Sequence, residues 1–113
     1  MDNLPKLVRD KIPDIIRENG KECEIEIADG VDYLIALDKK LDEEVAEYHE
    51  SHSLEELADI LEVIYAATKT LGHSVNDLHD VYWKKHFKRG GLFEGIILKR
   101  IYDKEKDVNE KDV

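Results

Sequence analysis

Residues 43–59 read EEVAEYHESHSLEELAD, and how this stretch folds decides the architecture of the chain. It carries the carboxylates Glu43, Glu44, Glu47, Glu50, Glu55, Glu56 and Asp59 on either side of a short corner. Upstream, Val31, Leu34, Leu37, Leu41, Val45 and Tyr48 recur at threes and fours, which builds one apolar stripe along a helix from 29 to about 50. Downstream, Ser53 is placed to cap a second helix, with Glu56 three residues later, as a capping box requires. That helix, LEELADILEVIYAATKTLG, stops at Gly72. So short a connection makes the two helices antiparallel neighbours.

A helix advances roughly 100° per residue, and this assigns each acid to a face. Glu44 falls on the edge of the first apolar arc and Glu47 just beyond it, whereas Glu43 and Glu50 point further towards solvent. On the second helix, Leu54, Leu57, Leu61, Ile64 and Tyr65 form the main apolar face. Glu56 and Asp59 project on nearly the opposite side, in company with Ile60, Val63 and Ala67, while Glu55 and Glu62 occupy the remaining polar strip. A helix apolar on two faces is central in a bundle or lies at a subunit interface.

At roughly 1.5 Å rise per residue, Glu44/Glu47 and Glu56/Asp59 sit at similar heights in the hairpin. Two readings are open on spacing alone. The acids form a solvated surface with Glu56 completing the capping box, or they enclose a hard divalent cation, magnesium or manganese. Iron is a weaker choice, because di-iron bundles rely on Glu-x-x-His and none of His49, His52, His73, His79 or His86 has an acid three residues before it. His49 and His52 lie close enough to share a metal, but histidines beside a turn are ordinary surface.

The flanking segments are shorter. LPKLVRDKIPDIIRENG predicts a brief helix with Pro13 in its first turn and Gly20 as its stop. ECEIEI alternates strictly, with Cys23, Ile25 and Ile27 on one side; GIILKRIY at 95–102 is the other strand candidate. A third long helix begins near Ser74, with Asp77 at capping distance, and runs to Gly90–Gly91. The expected fold is mostly α: an antiparallel helical bundle completed by oligomerisation, with a small accessory strand pair. Residues 1–102 form the domain, and the charged stretch 103–113 is expected to be disordered.

Composition narrows the function classes. The 113 residues carry a net charge of −10, which repels nucleic-acid backbones and anionic membranes. Cys23 is the only cysteine, so no internal disulfide forms; in its alternating stretch it reads as a small buried side chain rather than a catalytic thiol. No signal-like segment opens the chain and no apolar run is long enough to span a bilayer, so a soluble cytoplasmic protein is expected.

EEVAE followed by EELAD resembles the EExxE…ExxD signature of MazG-like nucleotide pyrophosphohydrolases, the all-α group that includes phosphoribosyl-ATP pyrophosphohydrolase. LVRDKIPDIIRENG and KRGGLFEGIIL resemble the phosphoribosyl-ATP pyrophosphohydrolase-like branch, and the likeness runs from Leu4 to about Tyr102. The resemblance implies that Glu44, Glu47, Glu56 and Asp59 hold Mg2+, with Mn2+ as the alternative. It implies cleavage of a nucleoside triphosphate between the α and β phosphates, by a homodimer or homotetramer whose helices share a bundle. Phosphoribosyl-ATP hydrolysis and a non-catalytic metal-binding dimer are the competing functions. The eight residues YHESHSLE between the blocks are fewer than many such proteins carry.

Under that reading Glu44 or Glu47 orients the attacking water or takes its proton. Cations must neutralise the phosphates. WKKHFKRGG offers Lys84, Lys85, Lys88 and Arg89, with Arg89 first because a guanidinium grips phosphate bidentately. Arg9 and Lys11 are the second set. The plain alternatives are a helix C-terminus complemented by bases and, for Arg9 and Lys11, pairing with acids of a neighbouring chain. Trp83 is read as core rather than as a base-stacking residue.

Overall fold

The computed structural model describes residues 4–104. Four helices make up its regular structure: α1 (Ile12–Glu18), α2 (Gly30–Ser51), α3 (Leu54–Thr70) and α4 (Val75–Arg89). The mostly helical fold read from periodicity is therefore present. The chain divides into two compact units between Val81 and Tyr82, a boundary that falls within α4. The expected tail lies outside the described residues from 105 onward.

The first unit is built on the hairpin of α2 and α3, which pack along each other. Only two residues, His52 and Ser53, separate the helices. His52 turns the chain in the left-handed region (φ 50°), and its N–H donates to the Tyr48 carbonyl at 2.7 Å. Ser53 then caps α3, its Oγ accepting from the Glu56 N–H at 3.3 Å. Gly72, at φ 84°, ends α3 where a side chain would strain the backbone. Ser74 and Asp77 exchange side-chain and backbone hydrogen bonds at 3.0 and 3.1 Å, a complete capping box that starts α4.

The hairpin core is thin. Leu37 of α2 and Val63 of α3 are its buried apolar residues, joined by Thr68 and by the carboxylate Glu44. Thr68 satisfies itself by donating to the Ile64 carbonyl at 2.8 Å. α3 meets α2 through the side that carries Val63, Ile60 and the acids, and leaves Leu54, Leu57, Leu61 and Ile64 exposed. Thus the richer of its two apolar faces lies bare.

The accessory strand pair is not formed among the described residues. Residues 23–27 and 95–102 lack strand pairing, and most of their large apolar side chains, such as Ile27 and Ile101, stand in solvent. Alternation makes a segment compatible with a ladder but does not supply one, and an isolated two-stranded ribbon is marginal in water. Cys23 is half-buried, with Sγ 3.9 Å from the Pro13 carbonyl. In the second unit Trp83 is not core: it is 60% exposed and packs edge-on against Tyr82 and His86. No described helix is long and apolar enough to cross a membrane.

Candidate metal centre

The hairpin sets two acidic rows against each other. On α2, Lys40, Glu43, Glu44 and Glu47 follow at threes and fours, so they share a face. On α3, Glu56 and Asp59 share one by the same spacing. Oxygens of Glu44, Glu56 and Asp59 lie within 4.8 Å of one another, and so do those of Glu43, Glu44 and Glu47. Glu44 belongs to both groups and is only 5% exposed.

The outer oxygens of this cluster are matched by cations. Lys40 Nζ lies 3.0 Å from Glu44 Oε2 and 3.5 Å from Glu43 Oε2; Lys6 Nζ is 3.7 Å from that same Glu43 oxygen. Burial works against the Lys40 ammonium, but the hydrogen bond and attraction of Glu44, with Glu43 adding to them, hold its pKa above the ordinary lysine value. Across the cluster, Arg9 Nη2 donates to Asp59 Oδ1 at 2.7 Å and Nη1 approaches Glu62 at 3.8 Å. The hydrogen bond to Asp59 raises the arginine's pKa further.

The inner oxygens are not matched. Glu44 Oε1 and Glu56 Oε1 are buried without a hydrogen-bond partner. A buried carboxylate oxygen left in this state is costly, and it protonates, pairs or takes a cation. Glu56 shows the strain: desolvation first, then the charge of Glu47, a hydrogen bond that protonated Glu56 makes with Glu44, and the charges of Glu44 and Asp59 raise its pKa from 4.5 to about 6. Nor is its carboxylate spent on the capping box. The reciprocal donor, the Ser53 N–H, goes to Ser51 Oγ at 3.3 Å.

Of the residues expected at a site, Glu44, Glu56 and Asp59 are brought together, and Glu47 joins them through Glu44. Glu50 and Glu55 stay solvated, as their faces predicted. Glu43 corrects the sequence reading: it was placed in solvent but is half-buried within the cluster. Arg9, expected on phosphate, is engaged by Asp59 and Glu62 of its own chain. Lys11 is exposed at the start of α1. Lys84, Lys85, Lys88 and Arg89 are exposed along α4 beyond Val81. No histidine enters a cluster of potential metal ligands among the described residues. Lys40 and Lys6 were missed, although Lys40 stands four residues before Glu44, a readable ion-pair spacing.

Comparison with known proteins adds little. No family model matches the chain, and no solved structure matches it. A stretch of 44 residues, 39% of this chain, is 50% identical to an uncharacterized protein of Mycolicibacterium smegmatis. The match covers 45% of that protein, so it spans less than half of the relative's own length.

The donor set is all oxygen and drawn from two helices, with two oxygens buried and unpaired. It fits a hard divalent cation of the magnesium or manganese type, which favours carboxylate ligands.

Proposed function

We propose that this protein is a divalent-cation-dependent nucleotide pyrophosphohydrolase of the MazG-like kind, splitting a nucleoside triphosphate between its α and β phosphates. The observation that carries the reading is the pair of buried, unpartnered oxygens, Glu44 Oε1 and Glu56 Oε1, that two helices contribute to one carboxylate cluster. The three sequence blocks that resemble this family supply the reaction type.

Glu44, Glu47, Glu56 and Asp59 hold the ion, and Glu43 extends the set on the α2 side. When bound, Mg2+ neutralises phosphate oxygens and lowers the pKa of a coordinated water. Glu44, buried against Lys40, is a fixed ligand. Glu47 is exposed and in no ion pair among the described residues, so it is the group free to accept the water's proton. Arg9 donates to Asp59 Oδ1 and fixes its orientation, as outer-shell partners of metal ligands do. The bare α3 face is assigned to a second copy of the chain, giving a homodimer or a pair of dimers.

The test is pyrophosphate release from a panel of nucleoside triphosphates, with and without Mg2+. Release that requires the ion and falls by roughly a hundredfold or more in Glu56→Gln is expected, since loss of an electrostatic group costs about that much. No release from any substrate, or release indifferent to that substitution, overturns the reading.

A further inference from the structure

Lys40 stands one turn before Glu44 on α2, and its side chain is only 17% exposed. An ammonium kept this far from water must be held by partners. Its partners are two acids of the cluster, Glu44 Oε2 at 3.0 Å and Glu43 Oε2 at 3.5 Å. Helix stability does not account for the pair with Glu44, because a lysine four residues before a glutamate is the weaker order of such a pair. What the contact does is divide the two oxygens of Glu44. Oε2 is taken by the ammonium, whereas Oε1 is buried without a hydrogen-bond partner in a side chain that belongs to the cluster with Glu56 and Asp59. Across the cluster Asp59 is divided in the same way, since Arg9 Nη2 takes its Oδ1 at 2.7 Å.

Divalent ions differ in what they ask of such acids. Calcium takes roughly six to eight oxygens and accepts a carboxylate through both of its oxygens at once. Magnesium is smaller, demands a near-octahedral set and keeps several waters, so one oxygen from each carboxylate serves it. A carboxylate pinned by one oxygen therefore penalises the ion that gains from two. Resting on the reading of the cluster as a divalent-cation site, we infer that Lys40 is a positioning residue for Glu44 and, through it, makes the site select magnesium over calcium. Lys40 keeps Oε2 throughout and leaves Oε1 alone for the ion.

Calorimetric titration of the full chain with Mg2+ and, separately, with Ca2+ tests this, the quantity read being the ratio of the two affinities. Lys40→Met, which cannot hydrogen-bond Glu44, is expected to lower the preference for Mg2+ about tenfold, the lower end of what loss of an outer-shell partner costs. Lys40→Arg can still hold Oε2 and is expected to keep the preference. Lys39→Met removes the same charge at the neighbouring position, where the lysine is exposed and in no ion pair among the described residues. It is expected to move both affinities together and leave their ratio unchanged, which separates positioning from net charge. Lys40→Ala carries the same expectation as Lys40→Met should that variant not fold. A wild-type ratio in the Met or Ala variant overturns the inference, as does an equal shift in Lys39→Met or in Lys40→Arg. The two readings fail separately. Wild type that binds neither ion removes the cluster reading and this one with it, whereas normal binding with an unmoved ratio removes the role of Lys40 alone. A shifted ratio without nucleotide cleavage leaves that role standing and removes the proposed reaction.

Discussion

Glu56 is the residue whose protonation reports the state of the cluster. Its folded-state pKa of about 6 stands above the ordinary 4.5, so the folded chain binds this proton more tightly than the unfolded chain does. The stability it confers is complete below pH 4.5 and is lost as pH rises through 6. At neutral pH the metal-free protein thus carries an uncompensated charge at this position. Glu56→Gln fixes the neutral form, so with chelator present it is expected to melt several degrees above wild type at neutral pH. That gap should close as pH falls from above 6 to 4.5, because wild type then protonates. Saturating Mg2+ should reverse the order at neutral pH, since only wild type gains the linkage stabilisation of a full ligand set. Thermal melts of the two proteins across that pH range decide it; a gap that does not vary with pH would refute the assignment.

The α2–α3 corner is the element that sets the acids level with each other. With only His52 and Ser53 between helices, the φ of 50° at His52 fixes where α3 begins relative to α2. A β-branched residue is strained there, so His52→Val is expected to cost about 1–3 kcal/mol and weaken Mg2+ binding. His52→Gly, free to adopt that conformation, should keep both within a few tenths of a kcal/mol; thermal melts and Mg2+ titrations of the pair separate backbone geometry from loss of the imidazole. This corner was legible in the sequence, because helical periodicity on both sides and the Ser53 cap leave no other place for it. So were the faces of Glu44, Glu56 and Asp59, which depend only on angle along a helix. Glu43 was only half legible: Lys40, three residues before it, is a readable pair, but Lys6 arrives from outside the helix and leaves no periodic trace. Arg9 on Asp59 joins residues 50 apart in the chain, again beyond any local pattern. The strand pair failed for a related reason: ECEIEI shows which way side chains alternate but not whether a partner ladder exists.

At the scale of the whole molecule, burial is out of proportion to apolar content. Among the described residues Leu37 and Val63 are the buried apolar ones, while Leu57, Leu61 and Ile64 on α3 stand 45, 44 and 37% exposed, with Leu54 at 82%. These four recur at threes and fours, so they form one continuous face rather than scattered surface residues. Their helix also holds Glu56 and Asp59 on its other side, so whatever covers the leucines steadies the carboxylates through the same backbone. A second copy of the chain is the proposed cover. Burying one leucine is worth roughly 2 kcal/mol, and a two-fold interface counts each substitution twice, so Leu61→Glu should weaken assembly by roughly a thousandfold or more. Light scattering is expected to show an oligomer for wild type and a monomer for Leu61→Glu at micromolar concentration. Because α3 carries two ligands, the monomeric variant should also bind Mg2+ more weakly, although Leu61 touches no ion. A monomeric wild type with Mg2+ affinity equal to that of Leu61→Glu would show that the hairpin holds its acids in place unaided.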